Sequence, residues 1–575
     1  MKPSASDAAA RRSLSGRPGK ALIAQSDGSV LLEVDAEGSA RARAAVAPFA
    51  ELVKSPEHVH TYRVTPLSVW NARAAGLTGG EMVSRLDEHS RYPVPASLAA
   101  TIEDLAGRYG RVRLGREGDS LLLSVQDRTV ARLLIRDRLV GPLLQGREDG
   151  LAFRVAPEQR GALKQALIAA GYPAEDLAGY APGDKLRVGL RERCLSGAPL
   201  SLRDYQREAV AAFHQGGSER GGSGVVVLPC GSGKTMVGLA ALAEVGQTTL
   251  IVCTSHVSVR QWRRELLDKT DLAQESVAEY TGQTKEIGPV TLTTYQVLTW
   301  RPDRDGDFPH MGLFLARRWG LIVYDEVHLL PAPVFQVTAQ LQAKRRLGLT
   351  ATLIREDGRE ADVFALIGPK RYDAPWKDLE SEGWIAAAAC TEIRVRLPSE
   401  RRLDYALADE RGKFRIAAEN PAKAAVARDL AAKHAGDHVL LIGQYLKQLQ
   451  ALARDLDCPL ITGRTPERRR QALYERFRAG TLRRLVLSKV GNFAIDLPDA
   501  DVLIQVSGAF GSRQEEAQRL GRILRPKADG RKARFFTVVT QDTCEEEFAH
   551  HRQLFLTEQG YSYRLELDDS NGGGT

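Results

Sequence analysis

From residue 21 the chain reads ALIAQSDGSVLLEV, two apolar runs on either side of Ser26-Asp27-Gly28-Ser29. An Asp-Gly pair between apolar runs predicts a β-hairpin. Thr65-Pro66 then predicts a helix start, with Thr as N-cap and Pro in the first turn, running through Trp70 and Ala74. A second helix is predicted from about Pro95, with Leu98, Ile102, Leu105 and Tyr109 on one face. Beyond Gly110 the strands RVRL and SLLLSV follow, and short strands and helices interleave to about residue 190. The region 21–190 is therefore expected to be one or two α+β accessory modules.

From about residue 200 the pattern changes to apolar strands alternating with helical periodicity, with strand ends at Leu228, Cys253, Tyr324, Ile442 and Val506. That alternation predicts an α/β fold built on parallel sheets. The stretch is too long for one mononucleotide-binding sheet and matches two, expected at 200–376 and 385–560. No internal repeat of about 20 to 50 residues is visible. The ends, 1–20 and 568–575, are expected to be a disordered basic arm and a disordered tail.

Composition narrows the class. With 575 residues, 43% hydrophobic and 26% charged, the chain has material for roughly four domains of about 150 residues each. The six cysteines are far apart and form no CxxC pair, which argues against structural zinc and a disulfide framework. No apolar run approaches the roughly 20 residues needed to span a bilayer. Lys2, Arg11, Arg12, Arg17 and Lys20 crowd the N-terminus against a lone Asp7, without the apolar core of a signal peptide. A cytoplasmic protein is expected. The net charge of +8 is mild for this length and suggests nucleic acid without establishing it. Arg111 and Arg113 fit either DNA phosphates or a solvated basic face.

The chemistry is more specific. The strand GVVVLP runs into CGSGKT at 230–235 and on into the helical MVGLAALAEV. Gly231 and Gly233 let backbone N–H groups turn inward around an anion. Lys234 reaches the β- and γ-phosphates and Thr235 ligates Mg²⁺. The strict phosphate-loop pattern places Gly at 228, where this chain has Leu. Further on, the strand LIVY ends in Asp325-Glu326-Val327-His328. A carboxylate at the end of a neighbouring parallel strand is placed to hold Mg²⁺ through water, and the next one to polarise the attacking water. QRLGRILR at 518–525 sets Arg522 and Arg525 three residues apart, on one helical face. Guanidinium groups brought to a γ-phosphate from a second sheet act as arginine fingers; the plainer reading is a basic surface helix. If two sheets close on ATP, hydrolysis drives their relative motion.

Here the residues resemble a known family. LRDYQ at 202–206, LPCGSGKT, TSHVSVRQWRREL at 254–266, TTYQVLT at 293–299, YDEVHLLPAPVF at 324–335 and LGLTATLIREDG at 347–358 are similar to the superfamily-two helicases. With the block SKVG to LRPK at 488–527 they resemble the bacterial branch of the XPB DNA helicases. HTYRVTPLSVWNARAAG at 60–76 extends the likeness more loosely.

The resemblance implies two RecA-like motor lobes with ATP and Mg²⁺ in the cleft between them. Its ATP-binding set is Arg203, Gln206 (at the adenine), Pro229, Cys230, Gly231, Ser232, Gly233, Lys234, Thr235 and Asp496, with Gly491 near the closing interface. His328 and Thr350-Ala351-Thr352 couple hydrolysis to movement, and Arg355-Glu356-Asp357 acts in strand separation. Gln518, Arg522 and Arg525 face the γ-phosphate, completing a catalytic set with Lys234, Asp325 and Glu326. Arg260, Trp262 and Arg263 sit where such helicases contact the DNA backbone. Trp262 reads either as a packed anchor or as a base-stacking platform. Arg468-Arg469-Arg470 and Arg483-Arg484 read as helix-surface charge, or as charge of which one or two members touch DNA.

The implied activity is ATP-dependent 3′ to 5′ helicase or double-stranded DNA translocase action in DNA repair, excision repair included. The implied partners are duplex, forked or single-stranded DNA and a repair nuclease, with a monomeric motor core at the nucleoid. Eukaryotic and archaeal relatives insert a thumb early in the second lobe; here only 397–423 is available for it. Two alternatives remain at this point: an RNA-remodelling helicase of the same superfamily, and a nucleotide-switched DNA-binding scaffold.

Overall fold

A computed structural model describes residues 19–54, 58–118, 120–148, 150–229, 231–303, 308–341, 344–351, 359–374, 376–384, 386–488, 500–507, 532–558, 561 and 563–568. They fall into two compact units, one holding residues up to 227 with 233–373, the other 228–232 with 374 onward.

The first unit opens with the predicted hairpin. β1 (Leu22–Ala24) pairs antiparallel with β2 (Ser29–Glu33), Ala24 facing Val30, and Gly28 takes the left-handed turn conformation at φ 85°. β3 (Glu51–Lys54) and β4 (Val59–Arg63) complete an antiparallel sheet of order β1-β2-β4-β3. The helix Pro66–Ala74 begins at Thr65, whose hydroxyl accepts from the Ser68 amide (3.1 Å) while the Ser68 hydroxyl accepts from the Thr65 amide (3.0 Å). The helix Ala96–Arg108 buries Leu98, Ile102 and Ala106. Tyr109, predicted on that face, has already left the helix at φ −67°, ψ 125°, and Gly110 follows at φ 87°. The glycine ends the helix one residue before the apolar stripe would have continued.

β5 (Val112–Glu117), β6 (Ser120–Val125), β7 (Gln145–Glu148), β8 (Ala152–Val155) and β9 (Glu175–Asp176) form a mixed sheet of order β7-β8-β6-β5-β9. Val112, Leu114, Leu121, Leu123, Phe153 and Val155 pack there against the helices Arg128–Arg136 and Arg160–Ala169.

The first lobe is an all-parallel sheet of β10 (Ser223–Val227), β11 (Thr249–Cys253), β12 (Val277–Tyr280), β13 (Val290–Thr294), β14 (Leu321–Asp325), β15 (Arg345–Thr350) and β16 (Lys370–Asp373). Its order is β12-β13-β11-β14-β15-β10-β16. β10, β11 and β13 are buried along their whole length, as strands covered on both faces must be.

The modules before residue 190 are packed hard onto this lobe. A Cβ on Gly161 would lie 2.5 Å from Ala339 Cα, and one on Gly183 would lie 2.2 Å from the Gly320 nitrogen. Gln165 Nε2 donates to Asp362 Oδ1 at 2.7 Å. The Tyr180 ring is covered by the guanidinium groups of Arg160, Arg345 and the buried Arg346, at 5.6, 5.4 and 5.9 Å.

The second unit holds another all-parallel sheet: β17 (Ala388–Val395), β18 (Val439–Ile442), β19 (Leu460–Ile461), β20 (Arg484–Leu487), β21 (Val502–Gln505), β22 (Ala533–Thr540) and β23 (Tyr563–Asp568). Its order is β19-β20-β18-β21-β22-β17-β23. Numbered from its own first strand, each lobe reads 3-4-2-5-6-1-7. The interval 397–423 is filled by two helices, Ser399–Leu407 and Glu410–Ala418. Asp568, expected in the tail, is the last residue of β23, opposite Val395. Residues 1–18 and 569–575 lie outside the described residues.

Candidate active site

β10 delivers the chain into a tight turn in which the Ser232 amide (3.3 Å) and hydroxyl (2.7 Å) both donate to the Pro229 carbonyl. Gly231 and Gly233 stand at φ 81° and 85°, the left-handed region that glycine reaches without cost. Gly233 also lies close to a neighbouring side chain. A Cβ there would lie 2.7 Å from Nε2 of Gln206, a buried residue of the helix Asp204–His214 whose Oε1 accepts from the Arg203 amide at 3.0 Å. Arg203 itself donates to the Tyr205 hydroxyl at 3.0 Å. The helix Lys234–Val245 starts on the lysine, with Thr235 in its first turn.

Lys234 Nζ stands 3.3 Å from Glu326 Oε1. Glu326 holds φ 49°, ψ 57°, a left-handed conformation that strains a residue with a Cβ. Before it, at the end of β14, Asp325 Oδ2 accepts from Trp262 Nε1 at 3.1 Å, and the Asp325 carbonyl accepts from the Tyr295 hydroxyl at 3.0 Å. His328 is buried, with Nδ1 2.6 Å from Thr350 Oγ1 and 3.5 Å from Glu326 Oε2. Lys234, Glu326, His328 and Thr350 thus form a polar chain across the carboxyl ends of three strands. Ala351 is buried directly after it.

One expectation about placement changes. β14 does not neighbour β10, because β15 lies between them and pairs with both. Thr350, at the end of β15, therefore sits between the strand that leads to the lysine and the strand that leads to the acids.

Burial, with the Glu326 charge adding to it, pushes the Asp325 carboxyl up to about 6. Burial would also raise Glu326, but Lys234 and His328 outweigh it and hold that carboxyl below the usual range. The environment separates the two acids. A buried carboxylate raised in this way, flanked by a threonine-bearing phosphate loop, is chemically suited to a divalent cation, whose charge would restore its own. Glu326 Oε2 is buried without a hydrogen-bond partner among the described residues, which suits a water there.

Trp262 leaves the expected DNA-contact set. It is 2% exposed on the helix His256–Lys269, and a Cβ on Gly238 would lie 2.4 Å from its Cη2. It is the packed anchor of the two readings, fixing Asp325 with its ring nitrogen. Arg260 remains exposed, and Arg263 lies 3.4 Å from Glu279.

Tyr295 and the Trp262–Asp325 bond were not anticipated. The signals were present in TTYQVLT, a tyrosine straight after an apolar strand, and in a glycine inside an otherwise apolar helix. Cys230, Thr352, Arg355, Glu356, Asp357, Gly491, Asp496, Gln518, Arg522 and Arg525 lie outside the described residues. Among the described residues no group of three or more His, Cys, Asp or Glu side chains forms a metal cluster, and no helix is long and apolar enough to cross a membrane.

Family models match three stretches: a type III restriction enzyme res subunit over residues 199–355, a helicase conserved C-terminal domain over 22–149, and the ERCC3/RAD25/XPB C-terminal helicase over 379–571. The chain is 55% identical over 554 residues to a DNA 3'-5' helicase XPB of Kineococcus radiotolerans, covering 96% of this chain and 97% of that one. The chain belongs to the XPB helicase family. A Mycobacterium tuberculosis DNA 3'-5' helicase XPB is 53% identical, with 96% and 98% covered. The family reaches further: a general transcription and DNA repair factor IIH helicase/translocase subunit XPB of Enterocytozoon bieneusi is 33% identical, with 94% and 91% covered. The α/β class and the two parallel-sheet lobes expected from the sequence are both present.

Proposed function

We propose that the chain is an ATP-dependent DNA helicase or double-stranded DNA translocase that moves 3′ to 5′ and serves DNA repair. The observation that carries the site assignment is Lys234 meeting Glu326 at 3.3 Å across the glycine turn, with Asp325 held by Trp262. Lys234 and the turn amides bind the triphosphate, and Gln206 with Arg203 reads the adenine. Thr235 and Asp325 hold Mg²⁺, which when bound neutralises developing charge on the phosphates. Glu326 orients the attacking water and accepts its proton. The bond from His328 to Thr350 passes the state of that site to β15, and Ala351 and Thr352 follow it in the chain.

The resemblance alone assigns Asp496 to the nucleotide, Gln518, Arg522 and Arg525 to the γ-phosphate, and Arg355, Glu356 and Asp357 to strand separation. Arg260 and Arg263 supply sequence-independent, salt-sensitive backbone contacts. In this reading the motor core is monomeric, acts at the nucleoid in the cytoplasm, and hands its DNA to a repair nuclease.

The test compares ATPase stimulation by duplex DNA, single-stranded DNA and RNA, together with fork unwinding and triplex displacement. DNA stimulation with displacement is expected, and displacement without unwinding identifies a duplex translocase. Stimulation by RNA alone, or wild-type turnover in Glu326→Gln, overturns the reading.

A further inference from the structure

A cavity of about 580 Å³ lies inside the first unit, where the helix Pro66–Ala74, the mixed sheet and the first lobe meet. Arg73, Arg111, Arg113, Lys164, Arg220 and Arg371 line it, against the carboxylates of Glu175 and Asp176. Both carboxylates are engaged. Glu175 stands 3.1 Å from Arg113 and 3.1 Å from Arg220. Asp176 stands 2.6 Å from Arg160 and 3.1 Å from Lys164. Burial would raise the Asp176 carboxyl, but Lys164 and Arg160 hold it far below the usual range.

The other three arginines reach no carboxylate among the described residues. Arg73 donates to the carbonyls of Ala106 (3.2 Å) and Leu77 (3.1 Å), Arg111 to that of Gly107 (3.0 Å), and Arg371 to those of Ser223 (2.9 Å), Ala74 (3.4 Å) and Arg220. A guanidinium has five N–H donors in a planar fork, so these bonds leave donors unused on each. Like charges gathered around a partly enclosed cavity cost free energy unless an anion joins them.

We propose that this cavity is a second anion site, distinct from the one at Lys234, and that it takes a small phosphate-bearing ligand: inorganic polyphosphate or the phosphates of a nucleotide. Paired N–H donors of arginine match phosphate oxygens. The volume falls within the about 300–1,000 Å³ of small-molecule pockets. The three arginines come from three parts of the chain. Arg73 lies on the helix after the antiparallel sheet, Arg111 at the entry to the mixed sheet, and Arg371 on β16 of the lobe. An anion bridging them fastens the accessory region to the motor.

The experiment titrates tripolyphosphate into the full chain carrying Lys234→Ala, which disables the phosphate loop, by calorimetry and thermal unfolding. Saturable binding with a rise in unfolding temperature is expected. Adding Arg111→Glu weakens it by about tenfold or more, and Gln126→Glu, a near-isosteric change on the exposed rim, by about threefold. No saturable binding to the Lys234→Ala chain, or affinity unchanged by both Arg111→Glu and Gln126→Glu, overturns the proposal. Competition by pyrophosphate or ATP supports it and tells the two sources apart. A single-stranded oligonucleotide that displaces tripolyphosphate at lower concentration than either makes the cavity part of a DNA path and also overturns it.

Discussion

The two lobes share a strand order and part ways at matching places. In the first, strand one (β10) runs into the glycine turn and Lys234, and strand five (β14) ends at Asp325, before the strained Glu326. In the second, strand one (β17) is followed by two helices, and strand five (β21) ends at Gln505, before Val506. A lysine nevertheless recurs. Lys423 lies in the first turn of the helix Pro421–Lys433, which leads to strand two as the helix of Lys234 does. Lys234 meets the residue after strand five through a carboxylate at 3.3 Å; Lys423 meets it through the Val506 carbonyl at 3.1 Å.

What differs is the anion. Glu545 closes on Lys423 Nζ at 2.6 and 2.5 Å, both side chains are buried, and the Thr540 amide donates to the same carboxylate. Lys234 and Glu326 keep 11% and 16% exposure. One copy of the fold leaves its lysine within reach of an incoming phosphate, and the other supplies a resident carboxylate. The parallel sheet supports both; the residues at its carboxyl edge decide which becomes a site.

The comparison breaks most sharply at these lysines. Lys234→Met is expected to cut ATP turnover by about a hundred- to a thousandfold with little change in unfolding midpoint. Lys423→Met strands a buried carboxylate and costs about 3–5 kcal/mol in urea unfolding. If instead Lys234→Met unfolded the chain and Lys423→Met left its stability intact, the contrast would fail. Pairing Lys423→Met with Glu545→Leu should recover most of the loss, because an apolar pair leaves no uncompensated charge; a double-mutant cycle measures the recovery.

Smaller effects sharpen the first lobe. Gly238→Ala drives a methyl into Trp262 and is expected to cost about 1–3 kcal/mol, with reduced turnover as Asp325 loses its anchor. Unchanged stability would mean that the indole yields without cost. Smallest in stability, Glu326→Gly removes the left-handed strain and should raise stability by up to about 1 kcal/mol while abolishing turnover, read by calorimetry and phosphate release.

The glycine turn, the acids after LIVY and the strand-helix alternation were legible because each is a local pattern. Strand order is not local. Nothing in RRLGLT announces that β15 enters between β10 and β14, which is why the acids were expected on a neighbouring strand. The second lobe was expected, but the place in it that matches Lys234 was not: Lys423 sits in PAKAAVARDLAAK, with no glycine turn before it, so that likeness lies in topology rather than in residues. Trp262 was ambiguous because an aromatic among arginines fits both a surface and a core until its neighbour Gly238 is placed. The cavity at Arg73, Arg111 and Arg371 joins positions nearly 300 apart in the chain, beyond any periodicity.

The bare backbone contacts at Gly161 and Gly183 bear on how the enzyme should be dissected. A fragment begun near residue 200 would expose the seat of those glycines on Ala339 and Gly320 and strip the Tyr180 ring from Arg346. Such a truncated motor would be adhesive and poorly behaved for reasons of uncovered surface. Its failure in an assay would therefore say nothing about whether the missing portion handles nucleic acid; point changes on the outer face of the intact protein are the tool for that question.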